Sequence, residues 1–126
     1  MIARAFSLGP FKRIYLGAGF WRMDGRRRDA VLAHEMYHCH KHHTEWRFLC
    51  LLLAPFFLSK LCKRQEFLAD AFSAQAGNTQ GLLEILASDY PGDWVSPSHE
   101  ERRVALVTGK YFRRVGRNPP LEQDDV

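Results

Sequence analysis

No apolar run in this sequence is long enough to cross a bilayer. The longest, Phe48 to Leu58, covers eleven residues, and a spanning helix needs about twenty. Cysteine is scarce and odd in number: Cys39, Cys50 and Cys62 show no metal-binding spacing and cannot all pair. That excludes a disulfide framework and suggests free thiols in a reducing compartment. No Gly/Ser linker, internal repeat or low-complexity tract divides the chain. Residues 1–116 therefore read as a single domain with one modest core, followed by an acidic tail, 117–126, with too little apolar surface to fold. The first residues carry Arg4, Lys12 and Arg13 without a continuous apolar core, unlike a signal peptide. A cytoplasmic location is expected, with residues 48–58 as a candidate contact to a membrane surface.

Proline is missing from residues 22 to 53, so a long helix can run through them. Asp24 can cap its start, and Ala30, Val31, Leu32, Ala33, Met36 and Tyr37 suit a half-buried helix. Within it stands His34-Glu35-Met36-Tyr37-His38. Residues four apart share a helix face, so both imidazoles can reach one ion, and Glu35 can serve as base to a water at the ion's open position. His-Glu-x-x-His on a helix reads as a zinc peptidase once a third ligand exists.

Gln65-Glu66-Phe67-Leu68-Ala69-Asp70 supplies that ligand, on a second helix that ends near Gly77. Glu66 and Asp70 lie one turn apart on one face. Glu66 can complete a His34–His38–Glu66 set for one Zn2+, and Asp70 can hold the other N–H of a ligand histidine. The metzincin pattern is excluded, because Lys41 and Thr44 occupy its glycine and third-histidine positions. His42 is a poor third ligand: a straight helix puts about 12 Å between residues 34 and 42. His40 and His43 are expected on other, solvated faces.

These residues resemble the gluzincin metallopeptidases, the family of HtpX and the CAAX prenyl proteases, whose small soluble members are called minigluzincins. The family pattern of His-Glu-x-x-His followed by Glu-x-x-Ala-Asp is matched by His34, Glu35, His38, Glu66, Ala69 and Asp70. The resemblance covers roughly residues 10 to 110. It implies a mainly helical α+β fold, a minimal zincin-like domain with a short strand or small sheet beside the active-site helix. It also implies a zinc-dependent endopeptidase acting on a peptide or protein substrate. The family's His-Pro-Ser-x-x-x-Arg stretch is met only in part by Ser96-Pro97-Ser98-His99-Glu100-Glu101-Arg102, with Ser96 at the histidine position. His99 is then the first candidate for the catalytic group that stabilises the oxyanion, followed by Arg102, Arg103 and Tyr90.

Residues 12 to 19 read as a short strand, and the resemblance implies that an extended substrate pairs with it. Phe48 to Leu58 reads as a helical hairpin turning at Ala54-Pro55. The histidine pair sits about 28 Å of helix before that turn and Glu66 about 17 Å after it. A straight hairpin therefore misses the zinc geometry, and a break is expected at Thr44 to Trp46. Asn78 or Thr79 can cap a helix to about Ser88, and Ser98 with Glu101 forms a capping box for a helix to about Phe112.

Net charge is +4, and Arg22, Arg26, Arg27 and Arg28 cluster at the start of the first long helix, where the dipole disfavours cations. The alternative to a peptidase is a catalytically silent zincin-like module that binds nucleic acid or a protein through this basic face. A solvated basic face is the simpler reading, and nucleic acid is the weaker partner. The acidic tail could also fold over the site, with Glu122, Asp124 or Asp125 reaching the zinc.

Overall fold

The computed structural model describes residues 2–109. Two strands, β1 (Ala3–Leu8) and β2 (Phe11–Leu16), form an antiparallel hairpin in which Ala3 faces Leu16 and Leu8 faces Phe11. The turn passes through Gly9 at φ 59°, a left-handed conformation that glycine adopts without a Cβ clash. β2 overlaps the expected strand but stops at Leu16. Gly17 begins a short helix, α1 (Ala18–Trp21).

Helix α2 (Gly25–His40) starts as expected, with the Asp24 side chain accepting from the Arg27 amide at 3.0 Å. Its buried residues Ala30, Val31, His34 and His38 follow the three- and four-residue spacing of one helix face. The helix ends earlier than the expected break: His42 is left-handed, with φ 55° and ψ 40°, and α3 (His43–Leu53) starts directly after it. A single 3-10 turn, Pro55–Phe57, reverses the chain into α4 (Leu58–Ser73). The reversal falls at Ala54-Pro55, where proline removes a helical donor.

Beyond α4 the backbone widens through Ala74–Asn78, with Gly77 at φ 95°, and enters α5 (Thr79–Ile85). Neither Asn78 nor Thr79 caps α5 through a side chain, and the helix stops at Ile85, short of Ser88. The last helix, α6 (His99–Thr108), has the full capping box between Ser98 and Glu101. Left-handed Gly109 closes it before the expected Phe112. The expectations for the acidic tail lie outside the described residues.

The chain folds as mainly helical α+β, with the hairpin packed against α2 and α3. Ala30, Leu82, Leu86 and Leu106 form one core cluster, and Ala71 and Ala105, flanked by Phe67, form another. Small residues set these distances. A Cβ at Gly81 would lie 2.5 Å from the Arg26 carbonyl oxygen, so α5 sits against α2 only because that atom is absent. The Ser73 hydroxyl donates to the Ala30 carbonyl at 2.9 Å, tying α4 to α2 and setting the phase at which Glu66 and Asp70 face the histidines.

Candidate metal centre

α2 and α4 bring His34, His38 and Glu66 together, and this cluster could hold a metal ion. His34 Nε2 lies 3.1 Å from His38 Nε2 and 3.3 Å from Glu66 Oε1, and His38 Nε2 lies 2.9 Å from Glu66 Oε2. Donors about 2.0–2.1 Å from a tetrahedral ion stand about 3.3–3.4 Å apart. The three donors already have nearly that mutual spacing. Both histidines are buried, while Glu66 keeps about a fifth of its side chain exposed. The donor set is therefore closed behind and open on one side.

The remaining ring nitrogens are fixed from behind. His34 Nδ1–H donates to Asp70 Oδ1 at 2.8 Å, which turns Nε2 toward the other donors. Asp70, fully buried, also accepts from Arg102 through Nε and Nη2, both at 2.7 Å. Burial pushes the His34 imidazolium down, but hydrogen bonds and charge from Asp70 and Glu66 outweigh it and raise its pKa to about 10. Burial likewise opposes the charged form of Glu66, yet the two histidines hold its carboxyl well below the usual range. Asp70 is lowered as well, with the Arg102 cation overcoming burial.

His38 Nδ1 meets His43 Nδ1 at 2.7 Å. Sequence reasoning put His43 on a solvated face, and this is corrected: it is 6% exposed. The left-handed residue at His42 starts a new helix and turns His43 inward. Burial, with the neighbouring charges of His38 and Arg47, drives its pKa down to about 3, so it stays neutral and accepts from His38. His40 is exposed, and His42 binds Glu45 at 2.8 Å, away from the donor cluster.

A cleft of about 650 Å³ opens over the site. Glu35 and His38 line it from α2, Ala3 to Phe6 from β1, and Arg47, Phe48 and Leu51 from α3. Glu66, Leu58 and Ser96 are also among its walls. The Ser7 amide turns away from β2 to Thr44 Oγ1 at 3.3 Å. By strand alternation, Ala5 and Ala3 present their backbone groups on that same edge. Among the described residues β1 pairs only with β2, so its second edge carries no strand.

The residues expected to stabilise an oxyanion do not line this cleft. His99 Nδ1 donates to the Ser88 carbonyl at 2.8 Å, and Tyr90 donates to Asp93 Oδ2 at 2.7 Å. Arg103 donates to the Leu86 carbonyl, and Arg102 is bound to Asp70 behind His34. Each is committed to an internal partner. The cation beside the donors is Arg47, whose Nη2 donates to Glu66 Oε2 at 3.0 Å and whose Nε donates to Gln65. Its signal in the sequence was weak: a lone arginine before an apolar run reads as a solvated helix boundary.

The arginines at the start of α2 are paired within the chain at its surface. Arg26 pairs with Glu84 at 3.2 Å, Arg27 lies between Asp24 and Glu84, and Arg28 donates to the Phe20 and Trp21 carbonyls. No protein-family model, curated protein or solved structure matches the chain.

Proposed function

We propose that this chain is a zinc-dependent endopeptidase of the gluzincin type, with one Zn2+ held by His34, His38 and Glu66. The observation that carries the reading is the convergence of three donors at about 3 Å spacing beside Glu35, under a cleft walled by an unpaired strand edge. Two imidazoles and a carboxylate suit zinc, and three protein ligands leave a position open. When bound, the ion supplies Lewis acidity that polarises the scissile carbonyl and acidifies the attacking water.

Glu35 takes a proton from that water as its oxygen bonds to the carbonyl carbon. It returns the proton to the leaving amine as the C–N bond breaks. The edge of β1 orders an extended peptide through main-chain hydrogen bonds, while Phe48, Leu51 and Leu58 receive an apolar side chain. Arg47 holds Glu66 in place and is the cation best placed for charge developing on the carbonyl oxygen. A silent module has no use for a carboxylate at Glu35 facing the cleft.

The test is removal and return of metal. Chelated protein should not cleave an unfolded protein substrate, and activity should return in proportion to added zinc up to one equivalent. Activity that survives chelation, or returns equally in His38→Ala, contradicts the reading.

A further inference from the structure

The hairpin tip formed by the end of α3, the Pro55–Phe57 turn and the start of α4 has no core of its own. No residue from Thr44 to Leu61 is fully buried. Leu51, Leu52 and Leu53 are 52%, 64% and 73% exposed, and Phe56 and Phe57 are 76% and 54% exposed. Successive helical residues point about 100° apart, so three consecutive exposed leucines spread apolar surface over about 200° of the helix rather than on one narrow stripe. A protein partner covers one face of a helix. So broad an apolar surface, continued by Phe56 and Phe57 at the turn, matches a surrounding apolar medium.

Charge rings the base of this tip. Between Phe48 and Leu58 there is no ionisable group except the Cys50 thiol, whereas Arg47 precedes the stretch and Lys60, Lys63 and Arg64 follow it. At 1.5 Å per residue, Lys63 lies about 9 Å along α4 from Phe57. That depth is the one at which interfacial helices bury their apolar side, about 5–10 Å, with cations level with lipid headgroups. Trp46 and Trp94, 57% and 58% exposed, stand at the same end, the Trp94 carbonyl accepting from Ser59 at the start of α4. Tryptophan favours that boundary layer. No described helix is long and apolar enough to cross a membrane.

We propose that residues 48–58 insert into one leaflet of an anionic bilayer, with Lys60 and Lys63 against its headgroups. Phe48, Leu51 and Leu58 also line the cleft over Glu35 and His38, so the inserted tip and the cleft share walls. The proposal concerns binding alone and stands whether or not the chain cleaves peptides.

The test is flotation of the full chain with vesicles of phosphatidylcholine alone and of phosphatidylcholine with phosphatidylglycerol. Wild type should float with the anionic vesicles, and 0.5 M salt should weaken the binding. Leu52→Asp combined with Phe56→Asp changes exposed side chains only, so circular dichroism should be unchanged while partitioning falls at least tenfold. Lys60→Glu with Lys63→Glu should remove the preference for anionic lipid. Lipids brominated along the acyl chain should quench Trp46 in a Trp21→Phe, Trp94→Phe background. Absence of flotation with anionic vesicles, or equal flotation of the double aspartate variant, overturns the proposal. So does concentration-dependent dimerisation that the aspartates abolish while vesicles bind neither form, which would assign the tip to a second copy of the chain.

Discussion

His34 Nδ1 lies 2.8 Å from Asp70 Oδ1, and the same carboxylate receives both arms of the Arg102 guanidinium. The relay runs from α6 through α4 to α2, so the last helix of the described chain helps fix the orientation of the His34 imidazole.

Asp70→Asn should be costly twice over. It leaves the mostly buried Arg102 without its counter-ion, a loss of about 3–5 kcal/mol for a broken buried pair. It also weakens the bond that orients His34, which should lower zinc affinity about 10–100-fold. Denaturant midpoints and competition with a chelating dye read the two effects separately. Unchanged zinc affinity would remove Asp70 from the site.

Metal binding should release a proton. Despite burial, Asp70 and Glu66 raise the pKa of His34 to about 10, from an ordinary 6.5. Because this pKa is raised, the ion pairing of His34 stabilises the metal-free fold fully below pH 6.5 and is lost as pH rises toward 10. Zinc must displace that proton, so its apparent affinity should rise with pH over the same window, about tenfold per unit. Calorimetry at pH 8 in buffers of different ionisation enthalpy should count about one proton released from His34. A heat independent of buffer would contradict the assignment.

Glu45 anchors the hairpin to α3. It accepts from the Ser7 hydroxyl, from the Gly9 amide at 3.0 Å and from His42 at 2.8 Å. Burial works to raise its pKa, but these bonds prevail and lower it to about 2, from an ordinary 4.5. A depressed carboxylate stabilises the fold above its unfolded pKa, and the contribution is lost as pH falls from 4.5 to about 2. Glu45→Gln should therefore lower the urea midpoint at pH 7 and match wild type near pH 2. An equal difference at both pH values would exclude Glu45 as the titrating group.

Gly81→Ala tests the close approach of α5 to α2. The added methyl would lie 2.5 Å from the Arg26 carbonyl oxygen and 3.1 Å from Ala30 Cβ. Overpacking of this kind costs about 1–3 kcal/mol. The unfolding free energy should fall by that amount, with zinc stoichiometry retained in the folded protein. A neutral substitution would show that α5 can move off α2 without loss.

The donor cluster was legible because a helix converts a four-residue spacing into a shared face, and both pairs, His34 with His38 and Glu66 with Asp70, use it. The fold class came with the resemblance those residues carry. β1 escaped notice because Ala3 and Ala5 dilute its alternation, and a hairpin partner shows itself only by pairing. His43 was misplaced because its position depends on one left-handed residue, His42, a conformation that histidine seldom adopts and that no neighbouring glycine announces. The partners of Arg102 and Arg47 are contacts across 32 and 19 residues, which residue spacing does not encode.

The most direct measurement compares wild type with Glu35→Gln on an unfolded protein substrate, with bound zinc determined in both. Glu35 is not among the three donors, so both proteins should bind one zinc, and only wild type should cleave, with the variant slower by at least about 100-fold. Equal cleavage by two equally metallated proteins would contradict the account.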